Sequence, residues 1–250
     1  MVEIKNYIKK YWVTILIIIS FFVVYQLISK FGNNPFLFPP IQQVFSQWDT
    51  GMFLRNLATS FLLLFPTLFL ATLIAFILGL IMGLNRTIRE RISPIINGIS
   101  VIPSVLLTPF ALILAPRFQL AAAFIIVYNV IWPTYYGVVN GIITIDKNYL
   151  DIAETLELRG AKRVTKVILP AAMPSIASGF ISSLRGSFTV LVIAEMYGFS
   201  NGLGFYVQNN ALLGLYDKVW MGFLFMVVVL VIVVWCFDKV RDYILRWTID

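Results

Sequence analysis

The sequence predicts an all-α integral membrane protein with six transmembrane helices, and three observations predict it. Hydrophobic residues make up 60% of the 250 positions and charged residues only 12%, whereas soluble domains run at roughly 45–50% and about 25%. So little charge cannot cover a water-exposed surface. Six apolar stretches recur along the chain, at residues 13–29, 57–84, 95–115, 120–145, 176–194 and 219–237. Each is close to or beyond the roughly 20 residues that cross a ~30 Å hydrocarbon core as a helix. Nothing alternates in the roughly ten-residue segments of a membrane β-barrel.

The first stretch follows a basic start, as a signal peptide would. Its apolar run is too long for one, however, and it closes on Gln26, Leu27, Ile28, Ser29 and Lys30 with no small-x-small cleavage site, so it reads as a retained helix. Residues 30–55 then carry Pro35, Pro39 and Pro40, followed by Ile41, Val44, Phe45 and Trp48 at helical spacing. An amphipathic interfacial helix is expected there, with Trp48 at headgroup depth. This gives a division into residues 1–56, a first helix with an outer segment, and residues 57–250, a five-helix core.

Within the core, Pro66, Pro103, Pro109 and Pro133 lie in or near the spans, where each removes a backbone donor and favours a kink. Gly79 with Gly83 and Gly137 with Gly141 put small residues on one helix face and predict close packing. Residues 198–218, with Gly198, Gly202 and Gly204, are too polar to span and read as an extracytoplasmic loop.

Orientation follows from the basic residues. One choice places Lys5, Lys9, Lys10, Arg86, Arg89, Arg91, Lys147, Arg159, Lys162, Arg163, Lys166, Lys239, Arg241 and Arg246 on one side, leaving Lys30, Arg55, Arg117 and Lys218 on the other. The positive-inside rule assigns the first group, and both termini, to the cytoplasm. The net charge of +7 is then a topology signal with some affinity for anionic lipid. No basic face stands on a soluble module, so nucleic acid is not an expected partner. The lack of histidine excludes imidazole metal sites and His-based nucleophile triads. A single cysteine, Cys236, excludes an intrachain disulfide and a multi-cysteine metal site.

Two charges lie at depth. Arg185 sits mid-span, where an unpaired charge costs at least about 2.5–3.5 kcal/mol. Glu195 ends the same helix, and at about 100° per residue the two lie roughly 80° apart around the axis, so they are not expected to pair. Each either finds an interhelical partner or faces a translocation path, where Arg185 would favour an anionic or polar solute.

The loop from Asp146 to Met173 differs from the others. Asp146 is a candidate N-cap, and Tyr149, Ile152, Ala153 and Leu156 form one apolar stripe. Asp151, Glu154 and Glu157 line a second face, and Gly160 is expected to close the helix. A basic helix then runs over residues 161–168 and stops at Leu169-Pro170. An amphipathic pair too short to span either lies on the headgroups or docks a cytoplasmic partner.

This loop resembles the EAA motif of permease subunits of bacterial ATP-binding-cassette importers, E-A-A-x3-G-x9-I-x-L-P. Counting back from Leu169-Pro170, the motif's Ile falls on Val167, its Gly on Glu157, its alanines on Ala153 and Ile152, and its Glu on Asp151. Ala153, Leu169 and Pro170 match, Asp151 and Val167 are conservative, and Ile152 and Glu157 depart. The stretches L-F-P-P-I-Q-Q-V-F from Leu37, S-F-L-L-L-F from Ser60 and A-E-M-Y-G-F-S-N-G-L-G from Ala194 resemble the nitrate/sulfonate/taurine branch of these permeases.

The resemblance implies a type I importer fold and a pair of permease copies, expected to be a homodimer. It also implies a dimeric cytoplasmic ATPase that holds ATP and Mg and an extracytoplasmic binding protein that delivers the solute. Tyr149, Leu150, Asp151, Ala153, Glu154, Leu156, Glu157, Gly160, Leu169 and Pro170 would form the ATPase-coupling region. The chain has no G-x-x-x-x-G-K-[ST] loop of its own, so it is not expected to bind a cofactor or act as an enzyme. The main alternative, an ion-coupled carrier, usually needs intramembrane carboxylates, and the spans offer only Glu195 at an edge. A membrane enzyme lacks paired acids or a visible base, and a channel would want pore-lining repeats.

Overall fold

The computed structural model describes residues 2–32, 34, 36–198 and 200–248, without the side chains of 2–11 and 248. Pro35, Phe199 and the side chains of Lys5, Lys9 and Lys10 therefore lie outside the described residues. Among those described, the chain is helical and strand-free. Its helices are α1 (Val2–Phe31), α2 (Ile41–Ser46), α3 (Thr50–Leu84), α4 (Arg86–Ser100), α5 (Thr108–Leu114) and α6 (Phe118–Ile143). They continue with α7 (Lys147–Thr155), α8 (Gly160–Arg163), α9 (Leu169–Gly198), α10 (Leu203–Leu212) and α11 (Tyr216–Ile244).

Five helical stretches are long and apolar enough to cross a membrane, and α4 with α5 makes a sixth crossing as a pair bent by 76°. The third span is thus broken where the sequence predicts a continuous helix over 95–115. The break falls at residues 101–103, because Pro103 has no N–H for the Ile99 carbonyl. That carbonyl accepts instead from the Tyr128 hydroxyl on α6 and from Ile102 N–H, the kind of substitution a bilayer interior requires. Tyr136 of α6 also donates to Asn97 Oδ1 at 2.9 Å and meets the Ser100 hydroxyl at 2.8 Å. Pro109 begins α5 rather than kinking a helix, whereas Pro66 and Pro133 do lie inside α3 and α6.

Helix α6 is the centre of the bundle. The glycine pairs read from the sequence mark its two closest approaches. A Cβ on Gly79 would lie 2.7 Å from Val138 Cβ, and one on Gly83 would lie 2.6 Å from Ile142 Cδ1, so α3 and α6 run parallel. On its other side α6 runs antiparallel to α9. A Cβ on Gly137 would lie 2.9 Å from Gly179 Cα, and one on Gly141 would lie 2.9 Å from the Ala172 carbonyl. Buried hydroxyls lock this contact: Ser183 donates to the Val130 carbonyl at 2.7 Å and meets Thr134 at 2.8 Å. The six crossings return both ends of the chain to the face that carries α7.

The opposite face holds α2 and α10. Val44 of α2 is buried, while Phe45 and Trp48 are half exposed. The expected interfacial helix is therefore only the short α2, which ends before Trp48 and buries its apolar side in protein. Tyr25 donates to the Pro39 carbonyl at 2.8 Å and Trp220 Nε1 to the Leu37 carbonyl at 2.9 Å. The region 198–218 is not a plain loop as expected, since it contains α10, whose Leu203 and Tyr206 join this aromatic cluster. Burial, with Asp217 and Asp49 nearby, pushes the Tyr206 phenol up to about 12.

Replacing Gly179 by leucine should force α6 and α9 apart, since its Cβ alone would fall 2.6 Å from the Pro133 carbonyl. A loss of about 3 kcal/mol is expected, at the upper end of overpacking, read as a lower melting temperature in detergent. Gly98→Ala, with nothing within 4 Å of its Cβ, should melt no earlier than the parent.

Candidate functional site: a docking helix joined to a polar-faced span

Helix α7 begins as the sequence predicts. Asp146 Oδ1 accepts from Asn148 N–H at 2.8 Å and caps it. Ala153 is fully buried, so the small residue of the EAA-like loop is the contact that brings α7 down on the rest of the chain. Tyr149, Ile152 and Leu156 are 47%, 54% and 63% exposed. Three apolar side chains on one face of a short polar helix leave an unpartnered patch outside the spans. Ile152, a departure from the motif, belongs to that patch, while Leu150 is only partly exposed. Of the acidic face, Asp151 and Glu157 point into solvent. Glu154 already has an ion pair within the chain, 3.6 Å from Arg163. The pair is solvent-exposed, with the Glu154 side chain 70% exposed, and does not withdraw that carboxylate from a partner.

The helix closes at Glu157, not at Gly160. Leu158 N–H donates to the Ala153 carbonyl and Glu157 N–H to the Glu154 carbonyl, both at 2.9 Å, which is the Schellman arrangement. Such a cap needs a left-handed residue, and Glu157 supplies it with φ +52°. The EAA motif has glycine at this position, and the geometry gives the reason, because a side chain there costs roughly 1–2 kcal/mol. Gly160, also left-handed at φ +55°, opens α8.

The basic helix does not stop at Leu169-Pro170 either. Residues Gly160–Gly198 form one continuous helical stretch, with a π turn at Val164–Ile168 immediately before Pro170. The wider turn accommodates a ring that would otherwise clash with the Lys166 carbonyl. The loop from Gly160 onward and the fifth span are thus one rod, and α7, a separate helix, rests against its π turn.

Along α9 a second feature appears. Between residues 169 and 190 the exposed positions are Ser178, Ser182, Arg185 and Thr189, all polar. They fall at i, i+4, i+7 and i+11, one helical face, and this spacing was readable in the sequence though only Arg185 was singled out. Arg185 is paired: its guanidinium lies 3.5 Å from Asp238 of α11, which Arg241 also approaches at 3.0 Å. Its side chain is still 57% exposed. Glu195 lies elsewhere. It is 1% exposed and accepts from Gly204 N–H at 2.7 Å, so within this chain it caps α10 and does not join the exposed stripe. No group of three or more metal-ligating side chains occurs among the described residues.

Residues 71–249 match the family described as the binding-protein-dependent transport system inner membrane component. The chain belongs to this family. Its all-helical, six-crossing architecture is the type I permease fold expected from the sequence. A bicarbonate transport system permease protein of Synechococcus elongatus is 29% identical over 163 residues, 64% of this chain and 58% of that protein. The chain therefore spans little more than half of that relative's length. A nitrate import permease protein of Leptolyngbya laminosa is 27% identical over 213 residues, covering 76% and 73%. A taurine transport system permease protein of Escherichia coli is 28% identical over 193 residues, covering 74% and 68%.

Glu157→Gly should relieve the left-handed cap and stabilise the α7 terminus by about 1 kcal/mol. Amide exchange at residues 153–158 should slow about fivefold. Glu157→Val should speed it, because a β-branched residue resists positive φ more strongly.

Proposed function

We propose that this chain is the membrane-spanning permease subunit of an ATP-driven importer, and that two copies enclose the path for a small polar or anionic solute. The observation that carries the reading is an exposed apolar helix face packed at the base of a span whose own exposed face is polar. A lipid-facing helix would show apolar side chains outward, and four polar ones in register suit a water-filled path. The family match supports this reading over an ion-coupled carrier.

In this reading the α7 face of the bundle is cytoplasmic, and the apolar patch of Tyr149, Ile152 and Leu156 sits in a groove on a separate ATPase that holds ATP and Mg. Asp151 and Glu157 supply the free acidic contacts. Closure of the ATPases on nucleotide draws the two α7 helices together, and the movement passes through the π turn into α9. Two arrangements of the bundle, each with different contacts to the ATPase, allow nucleotide to drive the exchange between them. A binding protein delivers the solute at the α10 face. The relatives named for bicarbonate, nitrate and taurine indicate small oxyanions or sulfonates as the solute class, which suits Arg185 on the stripe.

Gentle extraction of the tagged chain from its native membrane should bring a stoichiometric cassette ATPase with it, and its absence even after crosslinking would sink the proposal. Replacing Tyr149, Ile152 and Leu156 together by serine should cut ATPase recovery at least tenfold while the chain still reaches the membrane. Arg185→Gln should change uptake rate or solute preference at normal expression, and failure to insert would instead make the Asp238 pair purely structural.

A further inference from the structure

The A-E-M-Y-G-F-S-N-G-L-G stretch has a role that the docking helix and the polar stripe leave open. The N-terminus of α10 offers N–H groups with no partner inside the helix. Three consecutive ones are taken by side chains from spanning helices. Gly202 N–H donates to Asn56 Oδ1 at 3.1 Å, Leu203 N–H to Ser60 Oγ at 3.1 Å, and Gly204 N–H to Glu195 Oε2 at 2.7 Å. Asn56 and Ser60 belong to α3 and Glu195 to α9, so α10 is tied to two spans at once.

The approach is closed to any residue but glycine at two positions. A Cβ on Gly202, which has φ +117°, would lie 2.6 Å from the Glu195 carboxyl, and one on Gly204 would run into the Val192 backbone. Both glycines let α10 descend onto the Glu195 carboxyl, which accepts a hydrogen bond at the helix start. Helix α10 in turn supplies Gln208 and Asn209 to an outer groove of about 810 Å³, whose other polar lining includes Thr59, Gln119, Ser200 and Asn201. No charged side chain lines it among the described residues. Neutral amides and hydroxyls can hold a polar solute by hydrogen bonds without trapping it as an ion pair would.

We propose that Glu195 is a positioning residue that latches α10 to α3 and α9 and so holds the amide wall of the outer groove in place to receive the solute. This rests on the importer reading for the groove's purpose, but not for the latch itself. The latch needs an acceptor oxygen at the right reach, not a negative charge. Glutamine keeps that oxygen in place, while aspartate keeps the charge and withdraws the oxygen by one methylene.

Glu195→Gln and Glu195→Asp in the full chain, assembled with its partner subunits in membranes, separate these requirements. The readouts are amide exchange over residues 202–206 and uptake of labelled bicarbonate, nitrate and taurine. Expected are parent-like exchange and uptake for Glu195→Gln. For Glu195→Asp, exchange about tenfold faster and KM about tenfold higher are expected, the scale of losing one buried hydrogen bond. An inactive Glu195→Gln beside a parent-like Glu195→Asp would overturn the latch in favour of a charge in the path. Unchanged exchange in both, or faster exchange with unaltered uptake, would overturn it as well. A parent chain that moves none of the three solutes would count against the proposed solute class, while exchange would still decide the latch.

Discussion

The contact between α6 and α9, where Gly137 meets Gly179 backbone to backbone, is the interaction on which the rest of the structure depends. Lipid tails are as apolar as leucine, so helices in a bilayer gain nothing by hiding apolar area from one another. What holds them is close packing and interhelical hydrogen bonds. Here both occur together, with the glycines permitting the approach and Ser183, Thr134 and the Val130 carbonyl bonding across it. With that face of α9 committed to α6, the stripe of Ser178, Ser182, Arg185 and Thr189 lies about 100° round the helix axis and is left exposed.

Helix α9 also links the two ends of the molecule. At one end its continuation through the π turn supports α7, and at the other Glu195 holds the start of α10. A proline in the middle of such a rod would ordinarily break it. The π turn before Pro170 lets the helix continue, and a second proline, Pro174, is also carried inside α9. The third span, by contrast, is bent by 76° between α4 and α5, where Tyr128 and Tyr136 side chains supply hydrogen bonds that the interrupted backbone ladder does not.

Arg185 shows how a charge is tolerated at depth. Asp238 stands beside it and is shared with Arg241, so desolvation is offset while the guanidinium remains accessible. The expected interhelical partner is therefore present, and pairing does not bury the guanidinium.

The number of spans, the glycine packing faces and the capped start of the docking helix were all legible in the sequence. Each rests on local chemistry: apolar run length, small residues one turn apart, and an aspartate before a helical stripe. The closure of α7 at Glu157 was not, because single-residue preference favoured Gly160 and only the Schellman bonds reveal which residue is left-handed. The α10 latch was hidden for a different reason. Asn56, Ser60 and Glu195 bond to residues distant in the chain, and no periodicity encodes that meeting. The bond from Glu195 to the start of α10 likewise depends on the packing of α3, α9 and α10. Sequence alone determined a six-span membrane chain with a short amphipathic helix before the fifth span, since those depend on neighbours along the chain. Which polar groups are buried, paired or turned outward was decided by tertiary structure, because burial in a bundle depends on helices that touch only after folding.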